Sequence, residues 1–364
     1  MNFLAKIKFL WKRPKVIVVT GNGRALAAEA IFQVLKQNFK VRKISDGRLP
    51  QDLRKNEILI FESEDKEIRK FDLFLRESHL SVLAITNIGD IPSYVDFFAG
   101  EKEKIKETFD LAKNLPAQNY LILNYDDETV REIDDWTRLQ TFTFGLDKNS
   151  DFSASDIKLN FGTNFKVNYK GNVVPFWLEK LFGKEQIYAA LSAAAVGTIF
   201  NLNLVEISQA LKNYYSLPGK MRLSEGIKNS WVLDDSQGTT IFSMSEAIEI
   251  FGSLQGFKKK IAVLGDVIGI EKYTIEAHET IGERVAKNAD LLFTFGLRAR
   301  FIAQGAAQKG MAIEKIFQFA NIDEGKLKLQ EEIREGDLIL VDGSKEMEMA
   351  EIVKEICITT GPIV

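Results

Sequence analysis

A chain of 364 residues, 45% hydrophobic and 27% charged, is long enough to bury the cores of two or three soluble globular domains. Its net charge of −3 gives no electrostatic reason to expect nucleic acid or an acidic membrane as a partner. The single cysteine, Cys357, excludes an internal disulfide framework and fits a reducing compartment. Two histidines, His79 and His278, leave almost no material for a zinc site, so the metal to expect is a hard ion such as Mg²⁺.

The first residues, "MNFLAKIKFLWKRPK", are broken by Lys6, Lys8, Lys12 and Arg13. They cannot span a bilayer, and they lack the uninterrupted apolar core of a signal peptide. Residues 1–13 are expected to form a short amphipathic helix packed on the domain, with weak attachment to a membrane surface as the alternative. A cytoplasmic protein is expected.

From residue 14 onward, short apolar runs recur: "VIVVT" (16–20), "EILIFE" (57–62), "SVLAIT" (81–86) and "YLILN" (120–124). Helix-like stretches at 25–37, 65–78 and 101–114 separate them. Continuous apolar strands alternating with helices predict a parallel α/β sheet buried on both faces. From 139 to 175 the texture changes to alternation, as in "FKVNYKGNVVPF", which predicts an antiparallel excursion. "KEQIYAALSAAAVGTIFN" (184–201) predicts one well-buried helix. The Pro-Gly turn in "YYSLPGKMRLSEG" marks a domain boundary near residue 217, with the first domain at 14–216 and the second at 220–364. In the second, "WVLDD" (231–235), "KKIAVLGD" (259–266), "LLFTFG" (291–296), "IEKIFQFA" (313–320) and "DLILVDGS" (337–344) alternate with helical stretches. Two doubly wound α/β domains are therefore expected, hinged near Pro218–Gly219, and ligands of such sheets sit beyond the carboxyl ends of the strands.

Those strand ends carry the chemistry. "VTGNGRAL" turns from the first strand into a helix through Gly21, Asn22, Gly23 and Arg24, the outline of a phosphate loop. A working loop, however, carries Lys followed by Ser or Thr, where this chain has Arg24 and Ala25. Arginine can contact phosphate with a different reach, whereas alanine cannot ligate a metal. Glu62 ends the "EILIFE" strand, where a carboxylate can meet a hard cation or remain solvated. Asn124 and Asp127 in "LNYDD" can contact a ligand or cap a turn.

The ordered pieces "VTGNGR", "FES", "ITNIG", "KET", "LNYDD", "LPGKMR", "LDDS", "VLGD", "EAH..IG" and "GDLILVDGS...M.M" together resemble the Mur ligase family, which joins amino acids or peptides to carboxylates using ATP. Within it the chain most resembles the branch that adds D-alanyl-D-alanine to the muramyl tripeptide. The resemblance implies a central P-loop-type domain followed by a Rossmann-like C-terminal domain, with ATP and Mg²⁺ as cofactors. It implies nucleotide contacts at Gly21, Asn22, Gly23, Arg24, Asn124, Asp127 and Lys220, a magnesium ligand at Glu62, and active-site roles for Lys106, Asp235 and His278. Lys106 stands where the family has a carbamylated lysine, although "EKEKIKE" also has the look of a solvated helix face.

Departures from the family pattern cluster on the same centre. The loop is one residue short, and Pro92 replaces the metal-linked histidine. "QGTTIF" replaces the aromatic and amide nucleotide contacts, Asp342 replaces a lysine, and Lys220 replaces an arginine. The family's N-terminal domain, which holds the uridine nucleotide sugar, has no visible counterpart before residue 14. The expected reading is a Mur-ligase-like protein with a weakened ATP–Mg²⁺ site. A divergent active amide ligase and a scaffold or regulator of a partner ligase are the alternatives.

Overall fold

The computed structural model describes residues 3–44, 49–50, 52–87, 101–238, 240–268 and 274–358. The chain divides into two compact units, one of Met1–Lys158, Asn164–Glu179 and Lys184–Tyr215, the other of Leu159–Thr163, Lys180–Gly183 and Ser216–Val364.

The first unit is built on a nine-stranded sheet: β1 (Lys15–Thr20), β2 (Val41–Ile44), β3 (Ile58–Ser63), β4 (Ser81–Ile85), β5 (Tyr120–Asn124), β6 (Gln140–Gly145), β7 (Phe152–Leu159), β8 (Gly162–Tyr169) and β9 (Asn172–Glu179). Their order is β2-β3-β1-β4-β5-β6-β7-β8-β9. The pairs from β2 to β6 are parallel, and β6 meets β7 only at Phe144↔Phe152 and Gly145↔Ser153. Side chains alternate across the sheet. Val16, Val18, Leu59, Phe61, Leu83 and Leu121 join Phe9, Phe71 and Phe74 in one buried cluster, while Ile17, Val19 and Ile60 are equally buried but lie outside it. That double burial is why these strands read as unbroken apolar runs. Each such side chain contributes about 1.5–3 kcal/mol when withdrawn from water.

Two expectations need revision. β2 has no counterpart in the sequence reading: "VRKI" is a short, charged edge strand, the usual disguise of a sheet margin. The helix expected over 65–78 is a 3₁₀ segment at Asp65–Phe71 followed by a helix at Asp72–Glu77. There Phe71 and Phe74 both pack against Phe61, with ring centroids 5.1 and 5.3 Å away.

The second unit has six strands: β10 (Arg222–Gly226), β11 (Ser230–Gly238), β12 (Lys260–Gly265), β13 (Leu291–Phe295), β14 (Ile316–Phe319) and β15 (Leu338–Ser344). Their order is β10-β11-β15-β12-β13-β14, parallel except for the β10–β11 pair. Leu233, Ala262, Leu264 and Leu340 face the helices Ile241–Ser253, Thr274–Asn288 and Arg300–Gln308 through one core. Val232, Val263, Phe293 and Val341 face the helices Ile322–Glu332 and Ala350–Ile356 through another. Helices on both faces make this unit doubly wound, as expected.

Candidate functional site

In the first unit, β1 lies between β3 and β4, so the chain reverses its direction of winding there and ligand-binding loops are expected beyond these strand ends. The loop Gly21–Gly23 leaves β1 at that point. Gly21 has φ 97° and Gly23 φ 74°, conformations that glycine adopts at little cost. A Cβ on Gly21 would lie 2.6 Å from the Asn87 carbonyl oxygen, so the loop is pressed against the chain leaving β4.

That contact is hydrogen-bonded. The Asn22 N–H donates to the Asn87 carbonyl at 2.5 Å, and Thr86 Oγ1 donates to the carbonyls of Thr20, at 3.0 Å, and Asn22. The Arg24 N–H donates to the Gly21 carbonyl at 3.4 Å. The Arg24 guanidinium folds back as well, donating to the Gly21 carbonyl at 3.3 Å and to Glu64 Oε1 at 3.1 Å. Beneath the loop, Asp65 Oδ1 accepts from the hydroxyls of Thr20, at 2.7 Å, and Thr108, at 3.5 Å.

Glu62 stands near the end of β3, in register with Val19, half-buried and without a hydrogen-bond or ion-pair partner among the described residues. Lys106 is exposed on the helix Glu101–Asn114, the solvated placement that its charged surroundings also allow. The described residues contain no group of three or more His, Cys, Asp or Glu side chains arranged to hold a metal. Pro92 lies outside the described residues.

Asn124 and Asp127 organise the chain after β5. Asn124 is buried and its Oδ1 accepts from the Asp126 N–H at 3.1 Å. Asp127 caps the helix Glu128–Arg131 by accepting from the N–H groups of Thr129 and Val130. The hub is Asp126, which sequence reasoning passed over. It accepts from the N–H groups of Leu146 and Asp147 and from the Tyr188 hydroxyl, at 2.6, 3.0 and 2.9 Å. Only the fold, by returning β6 beside β5, reveals those partners.

In the second unit the carboxyl ends of β11, β12 and β15 bring together four buried aspartates: Asp234, Asp235, Asp266 and Asp342. Three are satisfied by backbone N–H groups. Asp234 accepts from Gly219 and Ser236, Asp235 from Met221, and Asp266 from Arg298 and Ala299. Lys220 donates to the Gln237 carbonyl at 2.7 Å.

Asp342 differs. It is 1% exposed, and neither carboxylate oxygen has a hydrogen-bond partner. In register it lies between Asp235 and Leu264, and a Cβ on Gly238 would fall 2.3 Å from its Oδ1. Burial pushes its pKa up to about 7, with Asp234 adding to the rise and Lys220 opposing it.

His278 is fully buried, and its ring nitrogens meet the backbone of its own helix and of the turn after β12. Nδ1 lies 2.6 Å from the Thr274 carbonyl, and Nε2 accepts from the Val267 N–H at 3.1 Å. Those partners select the neutral tautomer protonated on Nδ1, and burial, the main cause, holds the imidazole below its usual value. The Ile268 N–H donates to Ser344 Oγ at 2.9 Å, completing the turn after β12.

Comparison with known proteins matches two successive stretches of the chain. The Mur ligase middle domain profile matches residues 39–197, and the Mur ligase, glutamate ligase domain profile matches residues 221–345. The chain is 26% identical to the UDP-N-acetylmuramoyl-tripeptide--D-alanyl-D-alanine ligase of Bacillus subtilis over 94% of its own length and 76% of the relative's. It is 25% identical to the UDP-N-acetylmuramate--L-alanine ligase of Dictyoglomus turgidum over 92% of its length and 74% of that protein's. Among solved structures, the MurF ligase of Thermotoga maritima in complex with ADP superposes with a TM-score of 0.76 at 18% identity, covering 97% of this chain and 81% of the other. MurF of Acinetobacter baumannii gives 0.80 at 18% identity, covering 96% and 78%. The chain belongs to the Mur ligase family and is related to the ligases of peptidoglycan precursor synthesis.

Proposed function

We propose that this protein is a Mur ligase relative whose ATP–Mg²⁺ centre is weakened and whose own ATP-driven joining of amino acids or peptides is slight or lost. The observation that carries this reading is the inward use of the loop's donors. A phosphate loop works because its N–H groups and cationic side chain point at the ligand. Here the Asn22 and Arg24 N–H groups and the Arg24 guanidinium all bond to carbonyls or a carboxylate of the protein itself. The donor set suits magnesium-bound ATP poorly: Ala25 offers no hydroxyl, and among the described residues Glu62 belongs to no group of three or more His, Cys, Asp or Glu side chains that could hold a metal. Asp342 points the same way, since it puts an acid where the family resemblance implies a lysine that would meet anionic substrate.

A divergent, active ligase is the second reading, and Glu62 is what favours it. A half-buried carboxylate at a strand end with no partner among the described residues is a ligand kept available. Rebuilt catalysis would then use Arg24, Glu62 and Lys106. A cytoplasmic scaffold or regulator of a partner ligase fits the weakened reading. No described helix is long and apolar enough to cross a membrane.

Titration with ATP, with and without Mg²⁺, tests the proposal. Dissociation constants weaker than about 1 mM, insensitive to Mg²⁺, are expected. Micromolar Mg²⁺-dependent binding would overturn it. So would ATP turnover near about 1 per second with an amino acid or dipeptide.

A further inference from the structure

We propose that the Ile7–Leu10–Trp11 face of the N-terminal helix docks this protein onto the surface of an anionic lipid bilayer. The helix Phe3–Lys12 has two different sides. Phe9 is completely buried and packs against Phe74 of the first core, with ring centroids 4.9 Å apart and the rings tilted by 50°, which fixes the orientation of the helix. Ile7, Leu10 and Trp11, at spacing i, i+3 and i+4, form one stripe turned away from Phe9, and they are 49%, 36% and 78% exposed. A soluble protein scatters exposed apolar residues singly, whereas here three are contiguous and one is a tryptophan.

Charge identifies the occupant. The chain carries Lys6, Lys8, Lys12, Arg13, Lys15 and Arg24 before its first acidic residue, Glu29. With −3 overall, those six cations leave −9 for the remaining residues. The net charge therefore conceals a cationic beginning on an acidic body. On the helix itself, Lys8 and Lys12 follow the apolar stripe along one flank, and the Lys12 ammonium lies 4.2 Å from the centre of the Trp11 ring. Arg13 has only a loose ion pair with Glu77, at 4.0 Å. An apolar stripe ending in tryptophan and bordered by lysines is the pattern of a helix lying in the plane of an interface, where the stems reach outward and the ammonium groups meet lipid phosphates. A protein partner would also accept the apolar stripe, but the cationic border favours a surface of phosphates. Three apolar side chains and a few cations give reversible attachment rather than a permanent anchor. The proposal stands apart from the nucleotide reading and survives its failure.

Flotation of the full chain with vesicles is the test. One set is phosphatidylcholine alone and the other contains phosphatidylglycerol. At low salt the protein should partition into the anionic vesicles at least about tenfold better than into neutral ones, and high salt should abolish the difference. Leu10→Ser with Trp11→Ser should lower binding about tenfold, and Lys8→Gln with Lys12→Gln should remove the anionic preference. Trp11→Ser alone is a control that leaves the buried side untouched, so its melting temperature should match the parent's. Equal binding to both vesicle types, no binding, or binding that survives the Trp11 change would overturn the proposal. A dimer in sedimentation that Trp11→Ser dissolves would overturn it too, by assigning the face to a second copy.

Discussion

The loop after β1 and the carboxylate on β15 both depart from what the family resemblance implies, and they depart in opposite ways. At Gly21–Arg24 the donors that would hold a phosphate are turned onto the protein's own carbonyls and Glu64, so little is left unsatisfied. At Asp342 a carboxyl group is buried with both oxygens unpartnered, a state that costs stability. The first is satisfied within the fold. The second carries a cost that folding alone does not explain, and such costs gather where a binding function has been kept or exchanged.

The largest expected effect comes from relieving that cost. Asp342 is raised from 3.8 to about 7 in the folded chain. Folding therefore favours the protonated acid, so stability is full below about pH 4 and declines as pH rises toward 7. The shift corresponds to on the order of 4 kcal/mol above pH 7. Asp342→Asn should flatten the profile over that window. Because the amide is also short of partners, the gain at pH 8 should be smaller, about 1–3 kcal/mol. Denaturant midpoints of both proteins at pH 5 and pH 8 decide the matter, and parallel profiles would mean that Asp342 is solvated or paired.

The loop itself should show an effect of comparable size. Gly21→Ala must keep φ near 97° and place a Cβ 2.6 Å from the Asn87 carbonyl, and should cost about 2–4 kcal/mol. Gly23→Ala meets nothing within 4 Å and should cost only about 1 kcal/mol. Equal melting temperatures for the two variants would show that the loop is not pressed against the chain after β4, and the contrast with Asp342 would dissolve.

The sheets were legible in the sequence because both faces of their strands are buried, and runs such as "VIVVT" therefore carry no polar interruption. β2 was not, since an edge strand needs few apolar residues. Candidate residues were legible through the family resemblance at strand ends, which is how Glu62, Asn124, Asp235 and Asp342 were singled out. Their roles were not, because a carboxylate's meaning depends on partners distant in sequence. Asp126 finds Leu146, Asp147 and Tyr188, and Asp65 finds Thr20 and Thr108, through strand order alone. His278 was singled out by the family resemblance alone, and only the fold shows its ring buried with both nitrogens bonded to backbone groups.

The smallest effect is the sharpest discriminator for the loop. If Arg24 now serves as a clasp, its contribution is that of an exposed pair, because the Glu64 side chain is 69% exposed. Such pairs give about 0–1 kcal/mol. Arg24→Ala and Glu64→Ala should each shift the melting temperature by no more than about 4 °C, and the double variant should lose little beyond either single one. If instead the cation is held in place for an anionic ligand, removing Glu64 would free the guanidinium to meet it. Glu64→Ala would then raise the thermal shift produced by inorganic phosphate or ATP, and Arg24→Ala would erase that gain. A clasp predicts no ligand-dependent shift in any of the four proteins. A shift that appears only when Glu64 is gone would show that the loop still recognises phosphate and is held shut by its own carboxylate.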